Sequence, residues 1–181
     1  MTVRWDVIVP ILGVILMCIF FRYIYISFQY SKLVKEYNSG KYENVIKKAE
    51  KMREQCLVAS ALARTSQIIT KIDSLNLMIA VSYLSKENHD KFLENIQAIK
   101  KMEKEKQFWL VLHNLLTDNI NQAQIHHALY LNLSKKDDWG NAYLKGMFLF
   151  KQGQTIEAFQ FFEIVQPKVL HPLLKKYLSN M

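Results

Sequence analysis

Three histidines, His113, His126 and His127, are the side chains whose type and spacing invite metal chemistry. Two imidazoles on a helix share an ion when they stand on one face. His126 and His127 are adjacent, so on a helix they point about 100° apart. No Cys or carboxylate stands at ligand spacing from either. They read as ordinary helix-surface histidines. Asp137-Asp138 offers two carboxylates for acid–base work. It precedes an apolar-periodic run, where acidic residues favour a helix start instead. The run Lys100-Lys101-Met102-Glu103-Lys104-Glu105-Lys106 mixes signs, as a solvated surface does. There is no phosphate-cradling Gly loop, no zincin signature and no nucleophile elbow. Ser and Thr are scattered without a matching His/Asp order. The expectation is a chain that is not an enzyme, with no catalytic residue, no cofactor and no metal.

These side chains ride on helices. Five Gly and three Pro in 181 residues, with abundant Leu, Lys, Ile, Gln and Asn, favour helices over a turn-rich β fold. Apolar spacing predicts helices over Tyr42–Glu54 and Leu57–Ile72. A third begins near Leu75, with Asp73 or Ser74 as its cap. Others follow over Lys91–Met102, Glu105–Leu116, Asn121–Leu133, Trp139–Phe150 and Ile156–Val165, with a short one near Leu173–Leu178. Phe148, Phe150, Phe159, Phe161 and Phe162 form a dense aromatic cluster. The terminal helix is expected to cover it with Leu170, Leu173, Leu174 and Leu178.

The N-terminus differs in kind. Val7–Phe21 is apolar, Arg22 interrupts it, and Tyr23–Phe28 resumes it. As a helix, residues 7–28 reach roughly 33 Å at about 1.5 Å per residue, against a hydrocarbon core of roughly 30 Å. No Ala-x-Ala-like cleavage site follows. The expectation is an uncleaved transmembrane anchor over residues 1–29, contacting membrane lipid through residues 7–28. Lys32, Lys35, Lys41, Lys47 and Lys48 follow the span, and Arg4 with Asp6 precedes it. The positive-inside bias then gives a single-pass protein of the cell membrane, N-terminus out, with residues 30–181 cytoplasmic. The net charge of +8 reads as attraction to an anionic leaflet rather than nucleic-acid binding. Cys18 and Cys56 form no disulfide framework.

The breaks between helices recur near Gly40, Asn88, Asn119 and Gly153. Asn38-Ser39-Gly40-Lys41-Tyr42-Glu43-Asn44-Val45 reads like Lys151-Gln152-Gly153-Gln154-Thr155-Ile156-Glu157-Ala158. Gly146 stands seven residues before Gly153, and Ala158 and Phe162 follow in the second helix. Small residues at a crossing let two helices touch, and a large neighbour fills the groove. In these residues the chain resembles the tetratricopeptide repeat family, best in the last unit. Leu93 and Ala123 are the equivalents in the middle units, where no glycine marks the turn. The first interval is longer than the others, which implies an insertion or an extra helix there. The fold class expected is all-α: one transmembrane helix, then a tetratricopeptide-like hairpin repeat domain over residues 30–181 with about seven to nine helices.

The resemblance implies a groove lined by the first helix of each unit and holding a partner peptide. Its candidate lining is Asn76, Ser82 and Tyr83, then His113 and Asn114, then Asn141, Tyr143 and Lys145. The function expected is a membrane-anchored adaptor or scaffold whose cytoplasmic repeats recruit a protein or peptide partner. The rival expectations are an outward-facing, translocon-associated repeat protein that assists secreted clients, and an RNA-binding repeat protein. The Lys residues are dispersed along the chain rather than gathered in a stripe, which argues against nucleic acid.

Overall fold

The computed structural model describes residues 5–62, 65–135, 138–168 and 171–179, without the side chains of residues 5–8, 12, 15, 16, 18–20, 22, 23, 61 and 62. Asp137 and Leu170 lie outside the described residues. The described chain is all-helical: α1 (Trp5–Asn38), α2 (Tyr42–Leu62), α3 (Ser66–Leu84), α4 (His89–Gln97), α5 (Glu103–Leu116), α6 (Ile120–Leu133), α7 (Trp139–Lys151), α8 (Thr155–Val165) and α9 (Pro172–Ser179), with a 3-10 turn at Gln166–Lys168. It divides into two compact units, Met1–Lys35 and Glu36–Met181.

The first unit is α1 up to Lys35. Among the described residues, no helix is long and apolar enough to cross a membrane. The expected transmembrane anchor is corrected accordingly, and so is the single-pass, N-out placement in a cell membrane. α1 runs for 34 residues with Pro10 inside it, and Arg22 interrupts the apolar run of its sequence. Beyond Phe28 it continues as Gln29, Lys32, Lys35 and Glu36.

The second unit is built on one turn used four times. Gly40, Glu87, Asp118 and Gly153 all carry positive φ, at 74°, 58°, 58° and 78°. Each N–H bonds three residues back: to Tyr37 O, Leu84 O, Leu115 O and Phe150 O. The next N–H bonds five back: Lys41 to Glu36 O, Asn88 to Tyr83 O, Asn119 to Asn114 O, Gln154 to Leu149 O. This left-handed turn closes one helix and reverses the chain into the next. The second and third turns use Glu and Asp where the outer two use Gly.

Packing follows the same register. Five residues after each left-handed residue stand Val45, Phe92, Ala123 and Ala158, all fully buried. Leu93, expected at that place, is half-buried beside Phe92. Seven residues before the later turns stand Ala80, Val111 and Gly146, all buried. A Cβ on Gly146 would lie 2.5 Å from Phe162 Cε1, so the ring rests on the helix backbone itself. Within the hairpins α3 packs on α4, α5 on α6 and α7 on α8.

Among the described residues, the long first interval holds α2 and α3 and no further helix. α2 and α3 are simply long, at 21 and 19 residues. α2 ends at Leu62 and α3 starts at Ser66, where Thr65 Oγ1 accepts the Ile68 N–H at 3.3 Å and caps α3. The expected helix Leu57–Ile72 is therefore two helix ends. Asp73 is not a cap but lies inside α3, 1% exposed. Its Oδ2 accepts the N–H groups of Lys100 and Lys101 at 3.1 and 2.6 Å. A buried carboxylate thus holds the α4–α5 connection against α3, and α4 ends at Gln97 rather than Met102. Asp138 does open α7, accepting the Gly140 N–H at 3.0 Å and pairing with Lys104. Cys56 is a free, buried thiol.

Candidate protein-binding face

The first helices of successive units lie side by side, α3 against α5 and α5 against α7. Their common face carries rings. Trp109 of α5 is buried, and Tyr143 of α7 is 0% exposed. At the other end Tyr37, in the last turn of α1, meets Tyr42 edge-on at 6.2 Å. Phe108 lies among Trp109, Trp139 and Tyr143 at centroid distances of 5.5, 5.9 and 6.1 Å.

In a regular repeat stack each unit touches only its neighbours. Here His171 reaches across the first helices, to Tyr37 and to Trp109. His171 lies 4.8 Å from Tyr37 and 5.2 Å from Trp109, edge-on to both, and stacks on Tyr42 at 6.4 Å. Its Nδ1 accepts the Leu173 N–H at 3.3 Å. It therefore caps α9, with Pro172 at the first helical position. Leu173 and Leu174 are buried. Tyr177 lies near Tyr143, Glu87 and Tyr42. Burial pushes its phenol up to about 12, with Glu87 and then Tyr42 adding to the rise. Burial, and then Tyr177, raises the Tyr143 phenol. Burial draws His171 down to about 4, so the ring is neutral near pH 7.

Most of the polar residues expected along an open groove sit in joints between helices. Arg53 Nη1 on α2 donates to Asn76 Oδ1 on α3 at 3.1 Å and to Asn95 Oδ1 on α4 at 2.6 Å. The Tyr83 hydroxyl donates to Glu50 Oε1 at 3.2 Å. His113 stacks on Phe92 at 4.7 Å and meets His89 edge-on at 5.1 Å. Burial, with His89 adding to it, draws His113 down to about 4. Asn114 Nδ2 donates to Leu110 O at 2.8 Å within its own helix. Ser82 donates to Met78 O at 2.6 Å. Ser82, His113, Asn114 and Tyr143 are buried, while Asn76, itself 3% exposed, borders a cleft of about 530 Å³ with Arg53, Leu57, Ile69 and Asp73. The reason for the burial is packing of the preceding second helix, or of α9, over the faces that periodicity alone leaves bare.

Asn141 and Lys145 come together. Asn141 Oδ1 pairs with His127 Nε2 at 3.1 Å. Lys145 is exposed and joins His127, Phe148, Leu149 and Phe161 around a cleft of about 450 Å³ between α6, α7 and α8. His126 Nδ1 pairs with Gln107 Oε1 at 2.7 Å. Among the described residues, no group of three or more His, Cys, Asp or Glu is placed to hold a metal ion. The Phe cluster is covered in part: Phe162 is buried and Phe159 is 43% exposed. Sequence reasoning missed Tyr37, Trp109 and His171 as lining of one face. Their only signal was the ring content of three segments far apart in the chain.

No protein-family model, no curated protein and no solved structure matches this chain.

Proposed function

We propose that residues 36–181 are a tetratricopeptide-like module acting as a protein-interaction adaptor, holding a partner segment across the face of its first helices. The observation that supports this reading is the recurring turn at Gly40, Glu87, Asp118 and Gly153. One turn used at each hairpin gives each unit the same reversal, and the first helices then present a single continuous face. Tyr37 and Trp109, whose rings His171 covers in this structure, are large, rigid side chains of the kind that binding hot spots use at low entropic cost.

Photo-crosslinking from the rim tests the reading. A benzophenone side chain is placed at Glu87 or Phe159 and, as a control, at the outward Ile125. The full chain is expressed in its native cell. The reading expects one adduct of common mass from both rim positions and none from Ile125. No rim adduct, or the same adducts from all three positions, overturns it.

A further inference from the structure

We propose that α9 is the resident ligand of the binding face, and that the partner which displaces it is an amphipathic helix built on the same apolar pattern. The inference rests on the adaptor reading and adds to it the partner's chemistry and its regulation. Three observations carry it. First, α9 reaches across the stack. Its capping residue His171 touches Tyr37 and Tyr42 at one end of the fold and Trp109 in the third hairpin. A helix that merely continues a stack contacts the neighbouring unit alone.

Second, α9 reads as a docked helix in miniature. It starts on a side-chain cap and Pro172, buries Leu173 and Leu174, and leaves Lys175 and Lys176 exposed. That is the helix-in-groove mode of recognition, with a short apolar anchor and a solvated basic back.

Third, the seat is imperfect. The Tyr143 hydroxyl and His171 Nε2 are buried, and neither has a hydrogen-bond partner among the described residues. A cleft of about 560 Å³ remains between α9 and α8, lined by Phe159, Phe162, Glu163, Lys175 and Leu178. Unpaired buried polar groups weaken a contact, and a ligand that pairs them gains over one that does not. The partner is thus a helix with paired leucines that also brings a polar side chain to the Tyr143 hydroxyl and fills the remaining cleft.

A reversible lock tests the proposal. An ideal Cβ at position 40 lies 3.6 Å from Pro172 Cβ, within the Cβ–Cβ range of a disulfide. Glu87 and Asp118 show that this turn accepts a non-glycine residue. The full chain carries Gly40→Cys and Pro172→Cys, with Cys18→Ser and Cys56→Ala. The probe is a fluorescent synthetic peptide of residues 171–181. Binding is read oxidised and reduced, and also in full-length wild type and Leu173→Ala/Leu174→Ala.

The proposal expects the reduced form to bind the peptide at least ~10-fold more tightly than the oxidised form, and L173A/L174A to exceed wild type by a similar factor. Equal affinity of the oxidised and reduced forms overturns it. So does the absence of binding by an L173A/L174A chain that still melts cooperatively. If that variant loses its cooperative melt, the lock pair alone decides. A lock effect without any rim adduct removes the adaptor reading and keeps α9 as ligand. Rim adducts without a lock effect do the reverse.

Discussion

Glu87 and Asp118 share one backbone state, φ 58° at both, in turns that Gly40 and Gly153 fill elsewhere in the fold. The left-handed region disfavours side chains with a Cβ. The two middle turns therefore hold mild strain, which their flanking hydrogen bonds maintain. Glu87→Gly is expected to stabilise the chain by about 1 kcal/mol. Asp118→Gly gains less, because it also removes the exposed Asp118–Lys151 ion pair at 2.6 Å. Urea denaturation of both variants checks the order.

How much of this was legible in the sequence depends on the residue. Gly40 and Gly153 announced their turns because glycine marks left-handed backbone. Asn88 and Asn119 announced breaks, but the left-handed residues beside them are Glu87 and Asp118, which no composition rule flags. Gly146, Ala158 and Phe162 were legible because a small–large pair at a crossing has a local spacing. The separation of α2, ending at Leu62, from α3, starting at Ser66, was not, since Leu57, Ile68, Ile69 and Ile72 keep helical spacing across it. Asp73 looked like a cap because its true partners are the backbone of Lys100 and Lys101, far along the chain. Tyr143 looked exposed because the helix that covers it lies some thirty residues on. Nonlocal cover is what a periodic pattern omits.

Gly146→Ala is expected to cost about 1–3 kcal/mol, since its Cβ would press on the Phe162 ring at 2.5 Å. Phe162→Leu frees that space at a cost of its own. The double variant should lose less than the two single losses together. A double-mutant cycle by thermal melting measures the coupling.

Asp73→Ala leaves two backbone N–H groups without their acceptor and is expected to cost about 2–4 kcal/mol. Asp73→Asn keeps an acceptor oxygen and loses less. Hydrogen exchange should report faster exchange at the Lys100 and Lys101 amides in the alanine variant, with α7 and α8 little changed.

His113 and His171 both titrate near 4 in the fold, drawn down mainly by burial. Unfolded, each takes its proton near pH 6.5. Between those values the unfolded chain binds more protons, so stability rises with pH. The contribution is fully present above about pH 6.5 and is lost as pH falls toward 4. His113→Phe keeps the stack on Phe92 and should flatten the slope of melting temperature between pH 4 and 6.5. An unchanged slope in that variant would remove His113 from the cause.

The whole arrangement depends on one turn recurring four times in residues 36–181. Hydrogen exchange of the amides of Lys41, Asn88, Asn119 and Gln154 tests this most directly, since each donates five residues back across its turn. Slowed exchange at all four is the expected result. Protection at Lys41 and Gln154 with free exchange at Asn88 and Asn119 would contradict it, because the middle units would then not be repeats of the outer ones.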